Sequence, residues 1–126
     1  MADKKKVMVV DDEDGLRLFA ERVLGSAGYE TLGFDRAEKA RAAWREYNPD
    51  VVLTDYKMPG MDGFQFVESL IFDGYGGKRI LMSGRPGELY ENHPDVEGLF
   101  NAYFDGFIQK SFTSDELLAE LARVLD

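Results

Sequence analysis

The 126-residue sequence contains no cysteine, only one histidine, and no apolar run approaching the roughly 18 residues that a membrane-spanning helix needs. Without cysteine, disulfides, thiolate metal sites and thiol nucleophiles are excluded. No charged-then-apolar leader with a small-residue cleavage site opens the sequence, so no secretory signal is indicated. We therefore expect a cytoplasmic protein that has no membrane partner.

Basic residues are scarce relative to acidic ones: 15 Lys and Arg stand against 24 Asp and Glu, which gives a net charge of −9. Because nonspecific nucleic-acid binding needs basic residues facing the phosphates, this balance argues against a direct nucleic-acid partner. The length and the 44% hydrophobic content suit one domain with a buried core. We expect a single domain over residues 1–126.

Five short apolar stretches predict β-strands. They cover residues 5–10, 29–34, 51–54, 79–82 and 106–109. The continuous apolar run at 7–10 is typical of a strand that is covered on both faces in a parallel sheet. Amphipathic stretches follow the strands, and such alternation favours parallel strands joined by right-handed crossovers. The sequence therefore predicts an α/β fold in which a strand and a helix alternate five times.

Two helix starts carry a capping signature, in which a short polar residue is followed by Glu three positions later. Asp35 with Glu38 marks the predicted second helix, and Thr113 with Glu116 marks the last one. The stretch between the fourth and fifth strands is less regular, and residues 84–87 are expected to be loop. Beyond them, apolar residues are spaced for one face of a short fourth helix: Val96, Leu99, Phe100 and Tyr103.

Four of the predicted strands end on polar residues that suit phosphoryl chemistry. Asp11 and Asp12 follow the first strand, Asp55 the third, Ser83 the fourth and Lys110 the fifth. Because the carboxyl ends of parallel strands share one edge of the sheet, we expect these side chains to meet at one site. Three carboxylates, a hydroxyl and an amine together suit a divalent cation and a phosphoryl group.

The chemistry of each residue type suggests its role. The carboxylates of Asp11, Asp12 and Asp55 suit Mg²⁺, and without a cation their mutual repulsion should raise at least one pKa. Asp55, the lone acid at its strand end, is the predicted nucleophile that forms an acyl phosphate. The Lys110 ammonium would stabilise the charge of the transferred group, and the Ser83 hydroxyl would hydrogen-bond a phosphate oxygen.

Each of these residues, taken alone, has a simpler explanation. An Asp-Asp pair after a strand often caps a helix, where the helix dipole favours acidic groups. A single aspartate, serine or lysine in a loop is often only a turn or solvated residue. The conjunction of four suitable strand ends favours the functional interpretation.

Several stretches resemble the receiver domain of response regulators in two-component signalling. Residues 9–13, VVDDE, resemble the acidic-pair motif of that family, and residues 55–63, DYKMPGMDG, resemble its phosphoacceptor segment almost residue for residue. Residues 82–84 and 106–110 fit its hydroxyl and lysine positions. The resemblance covers essentially the whole chain and is to chemotaxis-regulator-like single domains. It implies a flavodoxin-like (βα)5 doubly wound sandwich, with a five-stranded parallel sheet in the order 2-1-3-4-5.

The resemblance also implies a function. Asp55 would accept a phosphoryl group from a sensor histidine kinase, a phosphotransfer protein or a small phosphodonor. Asp12 and Asp55 would bind Mg²⁺ directly and Asp11 through water, and the backbone carbonyl of Lys57 would complete the protein ligands. Such a domain is not an enzyme acting on a separate substrate, since it catalyses only its own phosphorylation and autodephosphorylation.

A conformational switch is implied as well. In it, Ser83 turns toward the phosphate and Phe107 moves inward behind it. The phosphoryl group is a small local change of charge that shifts the balance between two conformations of the domain. The usual output surface consists of the fourth helix, fifth strand and fifth helix. The expected partner is an unidentified downstream protein, with the domain itself a monomer or a phosphorylation-dependent dimer.

The sequence departs from the family pattern in two places. Ser111 follows Lys110 where the family usually has proline, often after a cis bond, and the segment from Ser83 to Lys110 is several residues longer than usual. In addition, Lys57 and Arg85 lie two positions after the acceptor and hydroxyl residues, where side chains border the phosphoryl group. Our hypothesis is that these two cations slow autodephosphorylation; solvated side chains without a role are the alternative.

Two other functions remain open from the residues alone. A haloacid-dehalogenase-like phosphatase also gathers Asp, Ser or Thr and Lys around Mg²⁺, and Asp11 would then be the nucleophile. The sequence has no second acidic pair after the lysine and no cap insertion, which counts against it. The other alternative is a receiver-like binding module that is never phosphorylated.

Overall fold

The computed structural model describes residues 4–85 and 87–126. Its five strands are Lys6–Val10 (β1), Glu30–Phe34 (β2), Val51–Asp55 (β3), Lys78–Ser83 (β4) and Gly106–Gln109 (β5). Every neighbouring pair is parallel, and the order across the sheet is β2-β1-β3-β4-β5. The predicted fold and strand order are therefore confirmed, with the strand ends shifted by one residue at most.

Helices follow each strand. They are Asp14–Ser26 (α1), Ala37–Tyr47 (α2), Gly63–Phe72 (α3), Glu88–Asn92 (α4), Phe100–Tyr103 (α5) and Ser114–Leu125 (α6), with a 3-10 segment at Pro94–Leu99. None of the helices that the described residues form is long and apolar enough to cross a membrane.

The two faces of the sheet are covered by different helices. On one face, Val9 of β1 belongs to the same buried cluster as Leu121 of α6. On the other, the neighbouring Met8 is buried with Phe66 of α3. Since successive side chains of a strand point to opposite faces, a strand enclosed in this way has to be apolar throughout. This explains the continuous apolar run at 7–10.

The stretch between β4 and β5 differs from the single fourth helix that we expected. A short helix already begins at Glu88 and ends before Pro94, and a 3-10 turn and a second short helix follow. Proline has no N–H to continue the helical hydrogen bonds and disfavours the helical conformation of the residue before it. The side chains of Leu89, Val96 and Phe104 still reach one buried cluster, so the broken segment remains packed.

One of the two predicted helix caps is correct. The Thr113 hydroxyl accepts a hydrogen bond from the Glu116 N–H at 3.1 Å, and the Glu116 carboxylate accepts from the Thr113 N–H at 2.9 Å. The other prediction is wrong, because α2 has Arg36 at its N-cap without a side-chain capping bond. Asp35 instead lies 2.9 Å from Lys39 Nζ, an ion pair four residues apart that draws its carboxylate away from the helix start.

Candidate functional site

The residues singled out at the strand ends lie together at one edge of the sheet. Asp12, Asp55, Ser83 and Lys110 line a single open pocket. Asp11 lies beside it, completely buried, with one carboxylate oxygen 3.0 Å from Lys110 Nζ. The parallel register of β1, β3, β4 and β5 brings these positions together, although nearly one hundred residues separate the first from the last.

The three aspartates form a compact group of oxygen ligands. One carboxylate oxygen from each of Asp11, Asp12 and Asp55 lies within 4.8 Å of the others. Asp11 and Asp55 are buried, whereas Asp12 is exposed and faces the open side. Asp11 Oδ1 accepts a hydrogen bond from the Glu13 N–H at 2.9 Å, which fixes that side chain. An all-oxygen set with one open side fits a hard divalent cation that keeps several water ligands.

Lys110 links the buried carboxylates. Its Nζ lies 3.0 Å from Asp11 Oδ2 and 3.0 Å from Asp55 Oδ1, and 3.4 Å from the exposed carboxylate of Glu13. The Lys110 N–H donates to the Ser83 carbonyl at 2.9 Å, so strand pairing itself brings the lysine to the site. The Lys110–Ser111 peptide bond is cis, although serine replaces the usual proline.

The electrostatics follow from burial and from the crowding of like charges. Burial, aided by the negative charge of Asp11, raises the pKa of Asp55 to about 7, while the Lys110 ammonium opposes the rise. Burial also raises the pKa of Asp11, against the hydrogen bond from Glu13 and the charge of Lys110. Burial lowers the pKa of Lys110, but its bonds to Asp55 and Asp11 outweigh this and leave that pKa raised. A carboxylate pKa is raised as expected, but burial is the main cause and repulsion between the carboxylates the lesser one.

The hydroxyl of Ser83 is held by its own loop. It donates to the Arg85 carbonyl at 3.1 Å and lies 3.2 Å from the Arg85 N–H, while the side chain is buried against the pocket. Phe107, the other predicted switch residue, is half-buried beside the cluster that contains Leu81 and Leu89. Its N–H donates to a carboxylate oxygen of Glu120 at 2.9 Å.

The two cations expected to border the phosphoryl group share an acidic partner that our sequence analysis missed. Glu88 Oε1 lies 3.5 Å from Lys57 Nζ and 3.8 Å from Arg85 Nη1, and all three residues line the pocket. Arg85 Nη2 also lies 3.0 Å from a carboxylate oxygen of Glu91. The only sequence signal was the spacing of three residues between Arg85 and Glu88, which is informative only on a helix.

A doubly wound parallel sheet with carboxylates, a hydroxyl and an ammonium at its carboxyl edge defines a class of α/β proteins whose crevice suits a cation and a phosphoryl group. The family model for the response regulator receiver domain matches residues 7–122, and the chain belongs to this family. It is thus a phosphoacceptor signalling domain of two-component systems. Family membership sets aside the phosphatase alternative with Asp11 as nucleophile.

Individual relatives agree with this assignment. The DNA-binding transcriptional regulator NtrC of Salmonella typhimurium is 32% identical over 122 residues, which are 94% of this chain and 24% of NtrC. The chain therefore spans about a quarter of the length of that curated relative. The structure of the chemotaxis response regulator CheY4 of Vibrio cholerae has a TM-score of 0.82 and 27% identity, covering 96% of this chain and 98% of CheY4.

A third relative was solved with ligands. The response regulator protein TrrA of Thermotoga maritima, in complex with Mg²⁺-BeF, has a TM-score of 0.79 and 26% identity, covering 95% of this chain and 98% of TrrA. A similar fold therefore binds a divalent cation together with a beryllium fluoride group.

Proposed function

We propose that Asp55 is the residue that accepts the phosphoryl group and that the reaction requires Mg²⁺. The observation that carries this proposal is the position of Asp55: among the three clustered aspartates it is the buried one that lines the open pocket, and it contacts Lys110. Asp11, by contrast, is completely buried. The match of residues 55–63 to the phosphoacceptor segment of the family supports the same choice.

The donor set supports Mg²⁺ as the cation. Asp12 and Asp55 would bind it directly, Asp11 through water, and the backbone carbonyl of Lys57 would be the remaining protein ligand. When bound, the cation supplies positive charge against the carboxylates and the phosphoryl oxygens. Asp55 is half-protonated near pH 7 without a cation, and a neighbouring positive charge lowers a carboxylate pKa. Cation binding would thus keep the acceptor ionised and nucleophilic.

In the transfer step, a carboxylate oxygen of Asp55 forms the new P–O bond. The P–N bond of a phosphohistidine, or the P–O bond of acetyl phosphate, breaks, and the departing imidazole or acetate keeps the electron pair. The imidazole then takes a proton from solvent. The Lys110 ammonium would pair with one phosphoryl oxygen. The Ser83 hydroxyl would leave the Arg85 carbonyl and donate its hydrogen bond to a second phosphoryl oxygen. Phe107 would then move inward beside Leu81.

The proposed phosphodonor is a sensor histidine kinase or a phosphotransfer protein. The proposed output is binding of a downstream protein at the surface formed by α4, β5 and α6, by a monomer or a phosphorylation-dependent dimer. Here α6 is the helix that the sequence predicted as the fifth, because the broken segment adds a helix before it. NtrC binds DNA, whereas the acidic chain described here matches its receiver portion only. A single domain over residues 1–126 and a cytoplasmic location stay predictions.

Autodephosphorylation would be slow in this domain. Lys57 and Arg85 both line the pocket, so both could pair with the phosphoryl group on Asp55 and hinder the approach of water. Their replacement by alanine is expected to shorten the lifetime of the acyl phosphate.

The proposal predicts a measurable modification. Incubation with acetyl phosphate and Mg²⁺ should add about 80 Da, the mass of one phosphoryl group, to the wild-type chain. The gain should disappear in Asp55→Asn and in the presence of a chelator, whereas Glu46→Gln, on the exposed side of α2, should be labelled normally. Intact-mass spectrometry measures all three.

A different result would favour the binding module that is never phosphorylated. The wild-type chain would then remain unmodified by acetyl phosphate and by an active histidine kinase, under conditions in which a known receiver domain is labelled. Labelling of Asp55→Asn to the wild-type extent would instead reject Asp55 as the acceptor.

A further inference from the structure

Glu88 is a nearly buried carboxylate at the mouth of the pocket. It belongs neither to the group of three aspartates nor to the residues that contact Lys110. Only 8% of the residue is exposed, although it is the first residue of α4 and lines the same pocket as Asp55. A carboxylate withdrawn from water needs compensating positive charge. Lys57 and Arg85 supply that charge, at 3.5 and 3.8 Å.

The two cations have freedom that Glu88 lacks. The Lys57 side chain is 81% exposed and that of Arg85 64%, so both can change partners with little reorganisation of the protein. Arg85 is also held by Glu91 at 3.0 Å, so Lys57 is the freer of the two. Both follow a pocket residue by two positions, Lys57 after Asp55 and Arg85 after Ser83. A phosphoryl group on Asp55 would therefore lie within the same pocket as both cations.

The competition for these cations is unequal. A phosphoryl group carries between one and a half and two negative charges and three strong acceptor oxygens, against a single charge on Glu88. However, Glu88 is already in place and partly dehydrated, whereas the cations lose water to pair with either anion. Its own negative charge also opposes a second anion in the pocket.

We propose that Glu88 is a positioning residue of the phosphoacceptor site, whose carboxylate holds Lys57 and Arg85 in the unphosphorylated domain and competes with the phosphoryl group for them. The proposal rests on Asp55 being the acceptor. Glu88 thereby shortens the lifetime of the acyl phosphate, because it withholds the two cations that would otherwise stay on the phosphoryl oxygens. Hydrolysis breaks the P–O bond to Asp55, water supplies the new oxygen on phosphorus, and the carboxylate is regenerated with release of a proton.

The test compares Glu88→Gln with the wild-type chain after phosphorylation and removal of the donor. The acyl phosphate should persist about threefold to tenfold longer in Glu88→Gln, the range expected for freeing two weak ion pairs. Mg²⁺-dependent beryllofluoride affinity, measured by calorimetry, should rise by a similar factor without any hydrolysis. Glu88→Asp, which keeps the charge but shortens the reach, should give an intermediate lifetime.

The same Glu88→Gln change in a chain that lacks both cations separates competition for the cations from a structural effect of the substitution. If Glu88 acts through the two cations, most of the effect of Glu88→Gln on lifetime and affinity should be lost once Lys57→Ala and Arg85→Ala are present, leaving only the direct repulsion between Glu88 and the anion. Glu46→Gln removes one charge from the exposed surface of α2 and should match the wild type, which excludes a mere effect of net charge. Thermal denaturation of each variant shows whether it is folded.

Three results would overturn the proposal. An unchanged lifetime and affinity in Glu88→Gln, in a wild-type chain that is labelled, would reject it while leaving Asp55 as the acceptor. A Glu88→Gln effect that persists undiminished without the two cations would reject the competition. Failure of the wild-type chain to be labelled at all would reject the proposed function itself, and this inference with it.

Discussion

At the scale of single residues, burial of the Asp55 carboxylate raises its pKa. The pKa of an aspartate in an unfolded chain is about 3.9, whereas that of Asp55 in the folded domain is about 7. The proton is therefore bound more tightly in the folded state. The associated stability is complete below about pH 4 and is lost as the pH rises through about 7.

This difference predicts a pH-dependent effect of Asp55→Asn in the absence of metal. The variant removes the buried charge, so it should be more stable than the wild type at pH 8 by up to about 4 kcal/mol, and the gain should shrink toward pH 5. Urea denaturation with a chelator at both values measures it. Glu46→Gln should retain the wild-type dependence, and an equal Asp55→Asn effect at both pH values would contradict the prediction.

At the scale of elements, α4 is held at both ends by contacts to the loop that follows β3. Glu88 reaches Lys57 at its start, and at its end Asn92 Nδ2 donates to the Tyr56 hydroxyl at 3.0 Å. His93 Nε2, in the next position, lies 3.1 Å from Asp62 Oδ2. Because Tyr56 directly follows Asp55, these contacts connect the end of β3 to this helix.

We expect the Tyr56–Asn92 hydrogen bond to be measurable as a coupling. Tyr56→Phe and Asn92→Ala should each destabilise the domain, and together they should cost less than the sum by about 0.5–1.5 kcal/mol. A double-mutant cycle from urea denaturation measures this. Asn101→Ala, an exposed asparagine on α5, should be additive with Tyr56→Phe; additivity for Asn92→Ala as well would mean that the bond contributes nothing.

How far the sequence predicts these elements depends on whether local patterns decide them. Continuous apolar runs mark buried parallel strands, and parallel strands necessarily share a carboxyl edge, so the positions of Asp55 and Lys110 followed. Glu88 and Asn92 could not be predicted in the same way, because their partners are set by the path of an irregular segment. The Asp35 cap fails for a different reason: Lys39, four residues further on, offers the Asp35 carboxylate an ion pair that competes with capping of the helix.

At the scale of the whole molecule, folding and cation binding are linked. The carboxylates come together only in the folded chain, so a cation that binds them stabilises the fold by mass action. Protonation competes with the cation, since the ligands must be ionised. The pKa of Asp55, raised to about 7, makes this competition relevant close to neutral pH, and burial raises the pKa of Asp11 as well.

Mg²⁺ should therefore raise the melting temperature more at pH 8 than at pH 5. Differential scanning calorimetry with and without Mg²⁺ measures the shift, and Asp55→Asn should reduce it at pH 8. If Mg²⁺ shifts the melting temperature neither at pH 8 nor at pH 5, a cation site built from these aspartates is contradicted.

The broken segment between β4 and β5 has a consequence for recognition. Its helices span five and four residues, on either side of a 3-10 turn. Helices this short are not stable in water by themselves. Packing of Leu89 and Val96, and the bond from Arg79 to the Tyr103 carbonyl at 2.6 Å, keep them in place. A partner that binds here must recognise a discontinuous epitope of the folded domain, which a linear peptide of the same sequence would not reproduce.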